Sequence, residues 1–211
     1  MDELKTQNET LTEMIKRKDS HILDLENKVE QLEQYTRTEN LIISGLEVKQ
    51  THSSYSSSVR SNTSRENEVK HDLESIEKQV IDFFEKQGLS ISESEISACH
   101  PLGGKKPIKD IVLRFVSRKS KSKILTKVKK DGILKATNVF VSEHLTKKNQ
   151  ELAAIGRHLK KSQAIVNTWV RDGKIFVRTK GKTPEEERTV LIKDKATFEE
   201  LELDISNLFQ K

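Results

Sequence analysis

The sequence predicts an α+β chain in three parts: a long N-terminal helix, a β-α-β-β-α-β unit, and a smaller α+β unit at the C-terminal end. Three observations predict it. Apolar residues recur every three or four positions over residues 1–40 with no Gly or Pro to interrupt them. Between residues 40 and 142, short β-rich runs alternate with two segments of helical spacing. Beyond residue 143, a helical stripe precedes two β-rich runs that flank an Asp-Gly pair. Of the 211 residues, 33% are apolar and 34% charged. An average soluble domain has roughly 45–50% apolar residues (glycine included) and about 25% charged. Small cores with extended, solvated parts fit this balance better than one large globule.

Placing Met1 at heptad position a puts Met1, Asn8, Ile15, Ile22 and Val29 at a, and Leu4, Leu11, Lys18, Leu25 and Leu32 at d. Such a narrow seam sustained over five heptads predicts a coiled coil, whereas a helix packed on a globular core carries a broader stripe. The expected oligomerisation contacts are Leu4, Leu11, Ile15, Ile22, Leu25, Val29 and Leu32, flanked by Lys28 and Glu33. Two strand numbers are open. β-Branched a positions, leucine at d and Asn8 at a favour a parallel dimer. Lys28 at g and Glu33 at the following e bracket the Val29/Leu32 layer in a pattern close to the trimerisation motif Arg-h-x-x-h-Glu, although lysine lacks the arginine fork.

Residues 40–46 read as a strand ending at Gly45, and 49–67 as a serine-rich loop. Val69, Leu73, Ile76, Val80, Phe83 and Phe84 predict a helix over 68–87, stopped by Gly88. A strand at 96–100, a basic turn at 101–107 and a strand at 108–116 follow. Alternation puts Ile111, Leu113 and Phe115 on one face of that last strand, and Asp110, Val112 and Arg114 on an open face. A basic helix over 119–130 turns Ile124, Leu125 and Val128 inward, and a strand at 138–142 closes the unit. The order is the split βαβ arrangement of ferredoxin-like folds, shared by RNA-recognition motifs that bind RNA on the open sheet face. Here the run 108–115 keeps only the final Phe of the usual aromatic motif, and Ile42 stands where a base-stacking aromatic is common. This sheet is expected to contact phosphates rather than stack bases. Lys121, Lys123, Lys127, Lys129 and Lys130 are either further contacts or a solvated back face.

In the last part, Leu145, Leu152, Ile155 and Leu159 form one helical stripe, with Lys147, Arg157 and Lys161 opposite. Residues 165–170 and 174–178 flank Arg171-Asp172-Gly173, a strong hairpin signal. A charged loop, a strand at 189–193 and a capping box at Thr197-Phe198-Glu199-Glu200 lead into Leu201, Leu203 and Ile205. Trp169 is the sole Trp, and in so aromatic-poor a chain it is expected to anchor the core; stacking on a base is the alternative.

Charge is segregated. The totals of 38 Lys+Arg and 33 Asp+Glu give a net +5. Residues 1–104 hold 12 basic and 20 acidic side chains, whereas residues 105–182 hold 22 and 5. An excess of 17 positive charges over 78 residues attracts polyanions. The expected contacts to nucleic acid are Lys105, Lys106, Arg114, Arg118, Lys119, Lys147, Arg157, Lys161, Arg171, Lys174, Arg178 and Lys180. No secretory signal core or membrane-length apolar run is present, and one cysteine cannot build an internal disulfide, so a soluble intracellular protein is expected. Phosphate-cradling loops, His-Glu-x-x-His and nucleophile elbows are absent, and Cys99-His100 lacks further ligands at metal spacing. The expectation is a non-enzyme without cofactor, metal site or small-molecule substrate. An adaptor whose rod recruits a partner helix and whose basic block meets acidic proteins or anionic membranes is the alternative function.

The order of parts resembles the first open-reading-frame protein of LINE-type (non-LTR) retrotransposons. The residues carrying the resemblance are 39–46 (Glu-Asn-Leu-Ile-Ile-Ser-Gly-Leu), 99–103 (Cys-His-Pro-Leu-Gly), 111–115 (Ile-Val-Leu-Arg-Phe), 138–146 (Asn-Val-Phe-Val-Ser-Glu-His-Leu-Thr) and 169–177 (Trp-Val-Arg-Asp-Gly-Lys-Ile-Phe-Val). The resemblance implies three domains: a coiled coil at 1–38, an RNA-recognition-type domain at 39–142 and a basic domain at 143–211. It also implies a homotrimer, in preference to a dimer, that binds single-stranded RNA, and DNA as well, without strong sequence preference. Such proteins coat their transcript into a ribonucleoprotein particle and act as nucleic-acid chaperones, in the cytoplasm with the nucleus as a second location. The chain departs from the pattern in its short rod, Ile42 and the long serine-rich loop.

Overall fold

The computed structural model describes residues 2–49, 75–103, 107–181, 186–201 and 203. Most of the serine-rich loop, the start of the helix expected from residue 68, Lys105, Lys106 and Ile205 lie outside the described residues. The architecture is mixed α+β: a long helix, α1 (Asp2–Thr36), precedes two small antiparallel sheets interspersed with helices. The chain divides into two compact units, Glu39–His144, and Met1–Thr38 together with Leu145–Lys211.

The first unit runs β1 (Asn40–Ser44), α2 (Ile76–Lys86), a 3-10 turn, β2 (Ile96–Pro101), β3 (Ile111–Phe115), α3 (Arg118–Asp131) and β4 (Phe140–Glu143). Its strands lie in the order β2-β3-β1-β4, all antiparallel. Alternation along β1 and β3 sends Leu41, Ile43, Ile111, Leu113 and Phe115 into one core with Val80, Ile81 and Phe84 of α2 and Ile124, Leu125 and Val128 of α3. Ser75 caps α2 by accepting from the Lys78 amide at 3.1 Å, and Ser117 caps α3 by accepting from the Ser120 amide at 3.1 Å. β1 ends at Gly45, whose φ of +84° and lack of room against the Asn138 carbonyl both demand glycine.

Two expectations for this unit need correction. Val112 is not open: it sits outside the main core, between Ile42 and His100 in the sheet register, yet is 3% exposed. Lys121 is no candidate for nucleic acid either. It is 1% exposed, its ammonium 3.4 Å from the Glu143 carboxylate in the interior.

The second unit contains α4 (Lys147–Lys161), β5 (Ile165–Arg171), β6 (Lys174–Thr179), β7 (Thr189–Ile192) and α5 (Ala196–Glu200), with strand order β5-β6-β7. Thr146 caps α4, so Leu145 precedes the helix while still joining the core with Leu152, Ile155 and Leu159. Gly156 lets α4 approach β5: a Cβ there would lie 2.7 Å from Thr168 Oγ1. The hairpin closes through Asp172 (φ +52°) and Gly173 (φ +75°), the two left-handed residues of a type I′ turn. The capping box expected at Thr197 is displaced. Asp194 accepts from the Thr197 amide at 2.9 Å and its hydroxyl at 2.8 Å, which holds the Asp194 carboxyl below its ordinary range.

α1 belongs to this unit through its last turns. Thr146 donates its hydroxyl to Glu30, and the Thr146 amide and Asn149 Nδ2 each donate to Gln34 Oε1 at 3.0 Å. Lys148 donates to Asn27 at 3.1 Å, and Arg37 to the Leu145 carbonyl at 2.9 Å. Asn27, Glu30 and Gln34 fall at heptad positions f, b and f, opposite the a/d seam, and Arg37 follows the end of the helix.

Candidate nucleic-acid interface

The cations expected to contact nucleic acid, where described, all sit at the surface: Arg114, Arg118, Lys119, Lys147, Arg157, Lys161, Arg171, Lys174, Arg178 and Lys180 are exposed. The first unit contributes Arg114 from β3 and Arg118 and Lys119 from the start of α3. Arg114 and Arg118 lie 3.4 and 3.8 Å from the Glu39 carboxylate, which holds the two guanidinium groups beside each other at one end of the sheet. On α3, Lys123, Lys127, Lys129 and Lys130 are exposed on the helix side away from the core. The open sheet face carries one strongly exposed aromatic: Phe140 of β4, opposite Ser44 in register and 71% exposed. Its place in the alternation of 138–142 was readable in the sequence, but the pairing that aims it outward was not.

In the second unit, Lys147, Arg157 and Lys161 stand on the solvent side of α4, while Arg171, Lys174, Arg178 and Lys180 come from the hairpin and its continuation. Arg178 Nε lies 2.7 Å from Glu187 Oε2, and Arg171 Nε lies 3.9 Å from Asp172 Oδ2.

Trp169 does not anchor the core. Val170, Ile175, Val177 and Ile192 face the α4 side, and Trp169 alternates to the opposite face. There it is partly exposed and stacked on Phe176, with ring centroids 5.7 Å apart and planes inclined by 13°. The aromatic that fills this core is Phe198, 0% exposed, packed with leucine, isoleucine and valine.

No protein-family model matches this chain, and no curated protein matches it.

The residues expected to mediate oligomerisation also lie at the surface. Leu4, Leu11, Ile15, Ile22, Leu25, Val29 and Leu32 are each between 46% and 71% exposed. Lys28 pairs along its own helix with Asp24 at 2.7 Å, which lowers the Asp24 carboxyl pKa, and Glu33 pairs with Arg37. Among the described residues no group of three or more His, Cys, Asp or Glu could hold a metal ion. Cys99 faces the core and His100 faces out, because neighbours on a strand diverge. Burial, with Glu77 nearby, pushes the Cys99 thiol up to about 12. Among the described residues no helix is long and apolar enough to cross a membrane.

Proposed function

We propose that this protein binds single-stranded nucleic acid, RNA foremost, as a coiled-coil oligomer that brings several basic heads onto one polyanion. The observation that carries this reading is the division of labour on the surface. A 35-residue helix leaves its a/d seam in solvent while its opposite face holds the C-terminal unit, and the described cations of the basic block stand exposed apart from the buried Lys121 and the half-buried Lys109 and Lys148. Burying the apolar seam against identical helices removes it from water, the main drive for such association. Several linked heads then bind more tightly than one, because the second contact is intramolecular.

The element order and the strand order β2-β3-β1-β4 support a ferredoxin-like, RNA-recognition-type reading of the first unit. The linear arrangement supports a relation to the first open-reading-frame proteins of LINE-type elements. On that relation the oligomer is a trimer rather than a dimer, and its role is to coat and remodel RNA in a ribonucleoprotein particle. The role is binding, not catalysis.

Light scattering on the full chain should give a mass of three chains. Affinity for a short oligouridylate should fall steeply with salt, with a log–log slope of about −3 or steeper, as expected when five or so phosphates are neutralised. A monomer with a flat salt response would overturn the reading. Vesicles of anionic lipid bound as tightly as RNA would favour the adaptor alternative.

A further inference from the structure

The three-stranded sheet of the C-terminal unit has two unlike faces. One carries Val170, Ile175, Val177 and Ile192 into the core beneath α4. Gly156 marks that side, since α4 presses against Thr168 there. The other face carries a row running straight across the strands in register: Trp169 on β5, Phe176 on β6 and Leu191 on β7. All three are partly exposed and none belongs to the core. Trp169 and Phe176 are stacked, and Trp169 stands on β5, the edge strand of the sheet. The neighbouring rows on the same face are cationic. Arg171 pairs with Lys174 in register on one side of the aromatic row, and Arg178 lies opposite Asn167 on the other. Arg171, Lys174 and Arg178 are exposed, and Glu187 beside Arg178 offsets part of that charge.

We propose that the Trp169–Phe176 pair is a stacking platform for unpaired nucleobases, with Arg171, Lys174 and Arg178 gripping the phosphates on either side. The inference rests on the nucleic-acid-binding reading above and assigns it a site. Among partners of a half-exposed aromatic row, nucleic acid is favoured by charge: bases offer flat π-faces to the indole, and the linked phosphates match the flanking cations. Stacking of this kind tolerates any base. It also supplies what the first unit lacks at Ile42.

Trp169 is the only tryptophan in the chain, so its fluorescence reports directly on the platform. The full-length protein is titrated with oligouridylate, with oligothymidylate, and with an abasic oligomer of equal length, while anisotropy of a labelled strand reports total binding. The two base-bearing arms separate RNA from DNA as the source of the stacked base. Expected is strong quenching by at least one base-bearing strand and little by the abasic one. Trp169→Ala should weaken binding of the quenching strand about tenfold without changing the salt slope, and Trp169→Phe should retain most of the affinity. Binding by anisotropy without tryptophan quenching, or equal quenching by the abasic strand, overturns the platform and leaves the wider reading intact. No binding of any strand overturns both. The quenching measurement uses the unsubstituted protein, so a fold defect in a variant cannot mask the result.

Discussion

Gly156 and Lys121 show how single side chains constrain the two units. In an exposed helix, Gly→Ala gains about 1 kcal/mol of helix propensity. At Gly156 the new methyl would meet Thr168 Oγ1, which donates to the Phe176 carbonyl at 3.0 Å and is tied to the strand. Gly156→Ala should therefore lower stability by about 1–3 kcal/mol, read by chemical denaturation of the full chain. A stabilised variant would show that α4 can retreat from β5. Lys121 lies buried beside Glu143, and removing one partner of a buried pair strands the other charge. Lys121→Ala should cost about 3–5 kcal/mol, whereas Lys121→Met combined with Glu143→Leu should recover most of that loss. An unchanged denaturation midpoint in Lys121→Ala would mean that the carboxylate finds water.

α1 serves two surfaces at once. Its b and f positions hold the start of α4 through Glu30 and Gln34, joined by Arg37 just past its end, while its a and d positions stay in solvent. Replacing Ile22, Leu25 and Val29 with Asn leaves the first surface untouched and makes the second polar. That variant should run as a single chain in light scattering, with the circular dichroism of both sheets retained. Deleting the whole helix is a poorer test, because it also strips the Gln34 contacts from Thr146 and Asn149 and the Glu30 contact from Thr146. An oligomer that survives the triple substitution would move the self-association surface elsewhere.

Across the whole molecule, the proposed reading of a self-associating helix bearing basic heads predicts avidity rather than tight single sites. The triple Asn variant should bind a long single strand at least tenfold more weakly than the parent, while a strand short enough for one head should bind both alike. Equal affinity of the two proteins for the long strand would mean that each head acts alone.

Much of this architecture was legible along the chain. Local signals marked the long N-terminal helix through its apolar spacing, the first sheet through Leu41/Ile43 and Ile111/Leu113/Phe115, and the hairpin through Asp172-Gly173, because periodicity and turn chemistry act over a few residues. What they could not reach depends on which faces meet. Trp169 looked like core filling, and only the register with Phe176, together with α4 on the far side of the sheet, turns it outward. Lys121 read as one of a row of surface lysines until Glu143 and the packed sheet enclosed it. Val112 was expected in the open and lies buried between its cross-strand neighbours. The polar b/f face of α1 carries no hydrophobic mark, so its docking appears only when Thr146 and Asn149 arrive from more than a hundred residues away. Composition and pattern decide which segments form and what charge they bring; the burial of any one side chain is settled by distant partners that no local window contains.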